Sequence, residues 1–208
     1  MKIEEVTLAF SGASGALYGL RLLEQLVLAG VTLSVVMPSA GRSMIRSETD
    51  FQLPEQPADM ADYLSEHFEA QSDQIKVYST LWDNPQSISP VASGEHAPKT
   101  MIVCPCSTAS LASIAVGISH DLLERSAEVV LKEKGNLVLV VREMPLSPIH
   151  LEHMLSLARL GVCIMPASPG FYSMPKRVGE LVDFVVARIL DQINVPHQLR
   201  SSDRLSAN

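Results

Sequence analysis

Five consecutive apolar residues, Leu137–Val141, run straight into Arg142-Glu143 and are preceded by Gly135 and Asn136. A short apolar run bounded in this way is a strand buried on both faces. The chain holds further short strand-like runs at Val6–Phe10, Leu33–Met37, Met101–Cys104 and Val162–Met165, and a strand-like piece at Ile75–Tyr78. Segments of helical periodicity lie between them. In 16–29, Ala16, Leu20, Leu23 and Val27 share one face and Gly30 closes the helix. Others are predicted at 39–47, 58–68, 107–117, 121–134, 148–160 and 177–194. The last of these carries a full apolar stripe through Val178, Leu181, Val182, Val185, Val186, Ile189, Leu190 and Ile193. Strands alternating with helices make an α/β protein, a Rossmann-like parallel sheet with helices on both faces.

The pattern extends over residues 1–196, read as one domain, and leaves 197–208 as a polar tail. Residues 50–99, which include Trp82, are the least regular part. With 208 residues, 47% of them apolar, the chain can build a core without disulfides or metal. A mean hydropathy of +0.19 hints at apolar surface buried between subunits. A net charge of −7 and the absence of any Lys/Arg run speak against nucleic acid. The cysteines are odd in number, with Cys104 and Cys106 flanking one proline and Cys163 far from both, which argues against a disulfide framework and points to a reducing compartment. Glu4 and Glu5 open the chain acidically, unlike a signal peptide, and no run approaches the ~18 apolar residues of a membrane span. A cytoplasmic protein is expected. The histidines lack metal-ligand spacing, so no metal is assigned.

In a parallel sheet of this type, ligands bind beyond the carboxyl ends of the strands. The segment after the first strand is Ser11-Gly12-Ala13-Ser14-Gly15-Ala16. Its small residues admit a ligand close to the backbone, and N–H groups at a helix start suit a phosphate or an electron-rich ring edge. The spacing is not GxGxxG, and Met37-Pro38-Ser39 puts no acid after the second strand, which disfavours NAD. Ser39 opens the next helix and Glu48 closes it; a simple helix cap and an exposed acid are the plainer alternatives. Pro105-Cys106-Ser107-Thr108-Ala109-Ser110 clusters three hydroxyls at another helix start, and Cys106 has no evident base beside it. Arg142-Glu143 sets a fixed cation and a titratable acid at the sheet edge, unless the two form an ordinary surface salt bridge. Pro166-Ala167-Ser168-Pro169-Gly170 stiffens the loop that holds Tyr172. Lys132 sits near a helix end and Arg188 on the flank of the last apolar stripe; solvated or snorkelling side chains are the alternatives there.

Taken in order, Ser-Gly-Ala-Ser-Gly-Ala with Tyr18-Gly19, Glu48-Thr49-Asp50, Pro105-Cys106-Ser107, Glu124-Arg125 with Leu131-Lys132-Glu133, Arg142-Glu143-Met144-Pro145-Leu146, Pro166 to Tyr172, and Asp183 to Arg188 resemble the flavin prenyltransferases of the UbiX family. The resemblance covers residues 6 to about 196. It implies the homo-oligomeric flavin-containing cysteine decarboxylase-like flavoprotein fold. It also implies transfer of a dimethylallyl group from dimethylallyl monophosphate to N5 and C6 of reduced FMN. The product would serve a UbiD-type decarboxylase, for example in ubiquinone biosynthesis. The resemblance further implies a dodecamer with sites at subunit junctions and no metal. By matched position, Gly12, Ala13, Ser14, Ser39, Ser107, Thr108, Ala109, Ser110 and Arg142 would hold FMN. Lys132, Tyr172 and Arg188, assisted by Arg125, would hold the prenyl phosphate. Ser14, Glu48 and Glu143 would be catalytic, the two acids managing protons. Two rival readings are an FMN-dependent decarboxylase of cysteine type on the same fold and a non-catalytic FMN carrier. The decarboxylases carry Asn in the segments that here read Pro-Cys-Ser-Thr-Ala-Ser and Glu-Met-Pro-Leu-Ser.

Overall fold

A computed structural model describes residues 3–79 and 89–199; Trp82 and the tail from residue 200 onward lie outside the described residues. The elements follow in the order β1 (Glu5–Ala9), α1 (Ala16–Leu28), β2 (Thr32–Val36), α2 (Ser39–Glu48), α3 (Pro57–His67), β3 (Ile75–Tyr78), β4 (Thr100–Cys106), α4 (Thr108–Val116), α5 (Leu122–Lys132), β5 (Asn136–Val141), α6 (Pro148–Arg159), β6 (Cys163–Pro166) and α7 (Val178–Gln192). A 3₁₀ turn, Pro90–Ala92, precedes β4. Helix ends differ from the periodicity-based expectation by a residue or two, as caps rather than apolar spacing set them.

The six strands form one sheet in the order β3-β2-β1-β4-β5-β6, and every pairing is parallel. Alternate residues of each strand feed opposite faces. Val6, Leu8, Leu33, Val35, Ile102, Cys104, Val138 and Val140 pack beneath α1, α3 and α7. Ala9, Val36, Met101, Val103, Leu137, Leu139 and Val141 pack beneath α4, α5 and α6. With both faces covered, the four central strands β2, β1, β4 and β5 are buried almost throughout, which is why they read as largely apolar runs, while the edge strands β3 and β6 are only partly buried.

The chain order reverses between β1 and β4. β2 and β3 extend the sheet one way, β5 and β6 the other. The two loops leaving β1 and β4 therefore diverge and open a crevice, the place where such sheets bind ligands. β4 is longer than the apolar run Met101–Cys104 predicts. After a register shift between Val103 and Cys106, Pro105 and Cys106 remain in the strand and Cys106 pairs with Val141. This extension carries Ser107 to the mouth of the crevice.

Close approach of backbone explains the small residues there. A Cβ on Gly41 would lie 2.6 Å from the Phe10 carbonyl oxygen, and one on Gly12 would lie 2.9 Å from Ala40 Cβ. The start of α2 is thus pressed against the end of β1. Gly19 lets α1 settle on the sheet, where a Cβ would meet the Phe10 ring and the Cys104 carbonyl.

Candidate active site

Gly15, at φ 112°, is the N-cap of α1 and has no side chain with which to satisfy the first N–H groups of the helix. Glu48, the last residue of α2, does so from outside. Its Oε2 accepts from the Gly15 N–H at 2.9 Å and from the Ala16 N–H at 2.8 Å. The positive end of the α1 dipole favours a carboxylate at this point. Burial opposes the ionised form of Glu48. The Ser14 hydroxyl, the Gly15 and Ala16 N–H groups and the nearby Arg142 outweigh burial and hold it below the usual carboxylate range. Glu48 is therefore a standing anion at neutral pH, already hydrogen-bonded, rather than the exposed acid that its sequence context allows.

Arg142 enters from the end of β5. Its Nε donates to the Ser14 carbonyl at 3.1 Å. Ser14, Glu48 and Arg142, carried by three different strand–helix units, thus meet beside the start of α1. Arg142 and Glu143 do not pair with each other: Glu143 is exposed and accepts from the Met144 N–H at 3.0 Å. Consecutive residues leaving a strand point to opposite sides, which separates the cation from the acid.

On the β4 side Ser107 is the N-cap of α4; its Oγ accepts from the Ser110 N–H at 3.1 Å and donates to Ser110 Oγ at 3.0 Å. The plainer alternative for Ser39, a helix-capping side chain, does not hold. Pro38 is the N-cap of α2, and Ser39 is an exposed residue of its first turn, directly beyond the carboxyl end of β2. Among the described residues, the backbone N–H groups of Gly12, Ser14, Thr108 and Ala109 have no hydrogen-bond partner. Four donors beside Arg142 and three hydroxyls form a cradle for an anion or the polar edge of a heteroaromatic ring. FMN presents both.

The expected prenyl-phosphate residues are not gathered within one chain. The crossover between β4 and β5 must return the chain to the amino edge of the sheet, so Lys132 at the end of α5 lies opposite the crevice. Asn136 N donates to the Lys99 carbonyl at 2.7 Å just beyond it, and Lys132 Nζ pairs with Glu133 at 3.2 Å. Arg125 pairs with Glu128 at 2.8 Å and Arg188 with Asp191 at 3.0 Å, the latter on the outer face of α7. Tyr172 is on the correct edge of the sheet, after β6, packed edge-to-face on Phe184 with ring centroids 5.6 Å apart. β6 stands three strands from β1, on the order of 14 Å away at ordinary strand spacing. An open groove of about 1150 Å³ runs between α1, the end of α3 and the start of α7. Glu48 is the sole predicted site residue along its wall, so the groove adjoins the crevice and does not coincide with it.

Cys104 and Cys106 are fully buried; burial pushes the Cys106 thiol up to about 12 and the Cys104 thiol higher still. Neither is placed to act as a thiolate nucleophile at neutral pH. Among the described residues no cluster of His, Cys, Asp and Glu could hold a metal ion, and no helix is long and apolar enough to cross a membrane.

The flavoprotein family model matches residues 1–190. A flavin prenyltransferase UbiX from Pseudomonas aeruginosa is 47% identical over 197 residues, covering 94% of this chain and 92% of that protein. The chain belongs to the UbiX flavin prenyltransferase family. Solved structures of the family carry the same fold. A dodecameric FMN-dependent UbiX-like decarboxylase from Escherichia coli O157:H7 is 36% identical, with a TM-score of 0.80 and coverage of 93% of this chain and 96% of that one. A UbiX protein in complex with FMN and dimethylallyl pyrophosphate is 35% identical, with a TM-score of 0.78 and 93% coverage of each chain. The residue that sequence reasoning missed is Ser11. It is buried between the two loops of the crevice, and only its position directly after an apolar strand singles it out in the sequence.

Proposed function

We propose that this chain is a flavin prenyltransferase that moves a dimethylallyl group from dimethylallyl monophosphate to reduced FMN. The convergence of Ser14, Glu48 and Arg142 beside four unpaired N–H groups at the β1/β4 crevice carries this reading. Reduced FMN supplies the two ring atoms, N5 and C6, that receive the five-carbon unit. Gly12, Ala13, Ser14, Ser39, Ser107, Thr108, Ala109, Ser110 and Arg142 bind and orient it. The Ser14 hydroxyl donates to Glu48, which leaves its oxygen as an acceptor towards the ligand.

Breaking the ester C–O bond sends the electron pair, and so negative charge, to the departing phosphate. Lys132, Arg125, Arg188 and the Tyr172 hydroxyl are the groups for that charge, and no metal is needed. Within one chain they are dispersed, so neighbouring protomers complete each site. The surface supports assembly. α6 buries only Leu157 and exposes Ile149, Leu151 and Leu155, while the loops beside it expose Met144 and Phe171. A dodecamer, as in the related structure, is the proposed assembly. Glu143, the exposed carboxylate that follows Arg142 after the end of β5, is the proposed proton acceptor for ring closure at C6. The product would pass to a UbiD-type decarboxylase. Free thiols and a reduced flavin substrate both fit the reducing cytoplasm.

The test is anaerobic incubation with reduced FMN and dimethylallyl monophosphate, followed by the mass of the flavin. A flavin heavier by one five-carbon unit is the expected result. Tight FMN binding with an unchanged mass would replace this reading with that of a flavin carrier.

A further inference from the structure

Ser11 is 3% exposed and follows the end of β1. Its Oγ donates to the Pro105 carbonyl at 2.7 Å and accepts from the Ala13 N–H at 3.2 Å and the Ser107 N–H at 2.9 Å. A hydroxyl has one proton and two lone pairs, so its capacity is used up. The Ser11 N–H also donates to the Pro105 carbonyl, at 3.2 Å. One buried side chain therefore joins the β1 loop to the β4 loop across the point where the sheet order reverses. It also sorts the donors of the two loops. The Ala13 and Ser107 N–H groups are consumed, while those of Gly12, Ser14, Thr108 and Ala109 are left for a ligand.

We infer that Ser11 is a positioning residue for flavin binding: it sets the spacing of the β1 and β4 loops and decides which of their N–H groups meet FMN. The inference rests on the FMN reading given above. The Ser11 hydroxyl has no hydrogen-bonding capacity left for the flavin. It acts by holding two short segments in one mutual geometry, and a binding site of this kind loses affinity when its donors are displaced by fractions of an ångström.

The experiment compares Ser11→Ala, which removes all three side-chain bonds, with Ser11→Thr, which keeps the hydroxyl. Both are made in the full chain and followed by oxidised-FMN titration, thermal melting and prenyl-transfer kinetics. For Ser11→Ala the Kd and KM for FMN should rise on the order of tenfold while kcat falls by less than about threefold. Ser11→Thr should stay within about threefold of the parent Kd. The absorption bands of bound FMN should shift in the alanine variant alone. Ser11→Ala binding FMN within about twofold of the parent would overturn the inference. So would a threonine variant that melts like the parent and binds as weakly as alanine. Where a variant melts far below the parent, residue-resolved hydrogen exchange on the parent chain decides. The Ala13 and Ser107 amides should share one level of protection above Gly12 and Ser14, and equal exchange at all four sinks the idea. The titration needs no turnover. Weak FMN binding by Ser11→Ala beside a parent that yields no prenylated flavin would therefore retain Ser11 and remove prenyl transfer.

Discussion

At Glu48 a carboxylate takes the part usually played by an N-cap side chain, because Gly15 has none to offer. Its folded pKa lies below the unfolded one, so the stability it contributes is complete above the ordinary glutamate range. That stability is lost as pH falls through the lowered value. Thermal melts of the parent and of Glu48→Gln should therefore differ most near neutral pH, with the parent the more stable. The gap should close as the solution is acidified below about pH 4. A gap that is constant over this range would mean that Glu48 charge is irrelevant to the cap. The buried thiols make a second prediction at this scale. With Cys106 at about 12 and Cys104 higher, neither is a thiolate at pH 8. Iodoacetamide should label both slowly in the folded protein and quickly after denaturation, as peptide mass mapping would show.

Among the elements, the fit of α2 against the end of β1 is a tight constraint near the site. Gly41 stands where a methyl group would press on the Phe10 carbonyl at 2.6 Å and on Phe10 Cβ at 3.1 Å. Gly41→Ala cannot relieve this by a side-chain rotation, since the nearest atom is backbone. It should cost about 1–3 kcal/mol of stability, the usual range for overpacking. Because α2 ends in Glu48, it should weaken FMN binding as well. Calorimetry and flavin titration on the same variant check both effects, and an unchanged Tm would refute the crowding argument. The central strand positions were legible here from apolar runs alone, since strands buried on both faces need no alternation, whereas the edge strand β3 alternates around Lys76. The extension of β4 through Pro105 and Cys106 was not, because proline in a strand reads as a stop until the register shift is seen.

Considered as a whole molecule, the chain places its proposed flavin residues at the carboxyl edge of the sheet and Lys132 at the amino edge. No side-chain rotation spans a sheet. Lys132 must serve a site in another protomer if it serves one at all. Lys132→Ala and Arg142→Ala proteins should each be inactive alone. Dissociated, mixed in equal amounts and reassembled, they should recover roughly a quarter of the parent activity by random assortment. An active Lys132→Ala protein would place Lys132 outside the reaction, and inactive variants that recover nothing on mixing would refute a site shared between protomers.

The amino-acid sequence by itself determined the six strands, the helices between them, their parallel arrangement and the loops that would hold chemistry. These follow from local periodicity and from a chirality rule that leaves few ways to connect parallel strands. Motif likeness added the family. Tertiary structure alone decided that Glu48 caps a helix 32 positions earlier, that Arg142 turns to the Ser14 carbonyl rather than to Glu143, and that Ser11 joins loops 94 positions apart. It alone also separated Lys132 and Arg188 from the crevice. Such contacts depend on strand register, loop path and the direction in which each helix runs. Residue spacing along the chain encodes none of these.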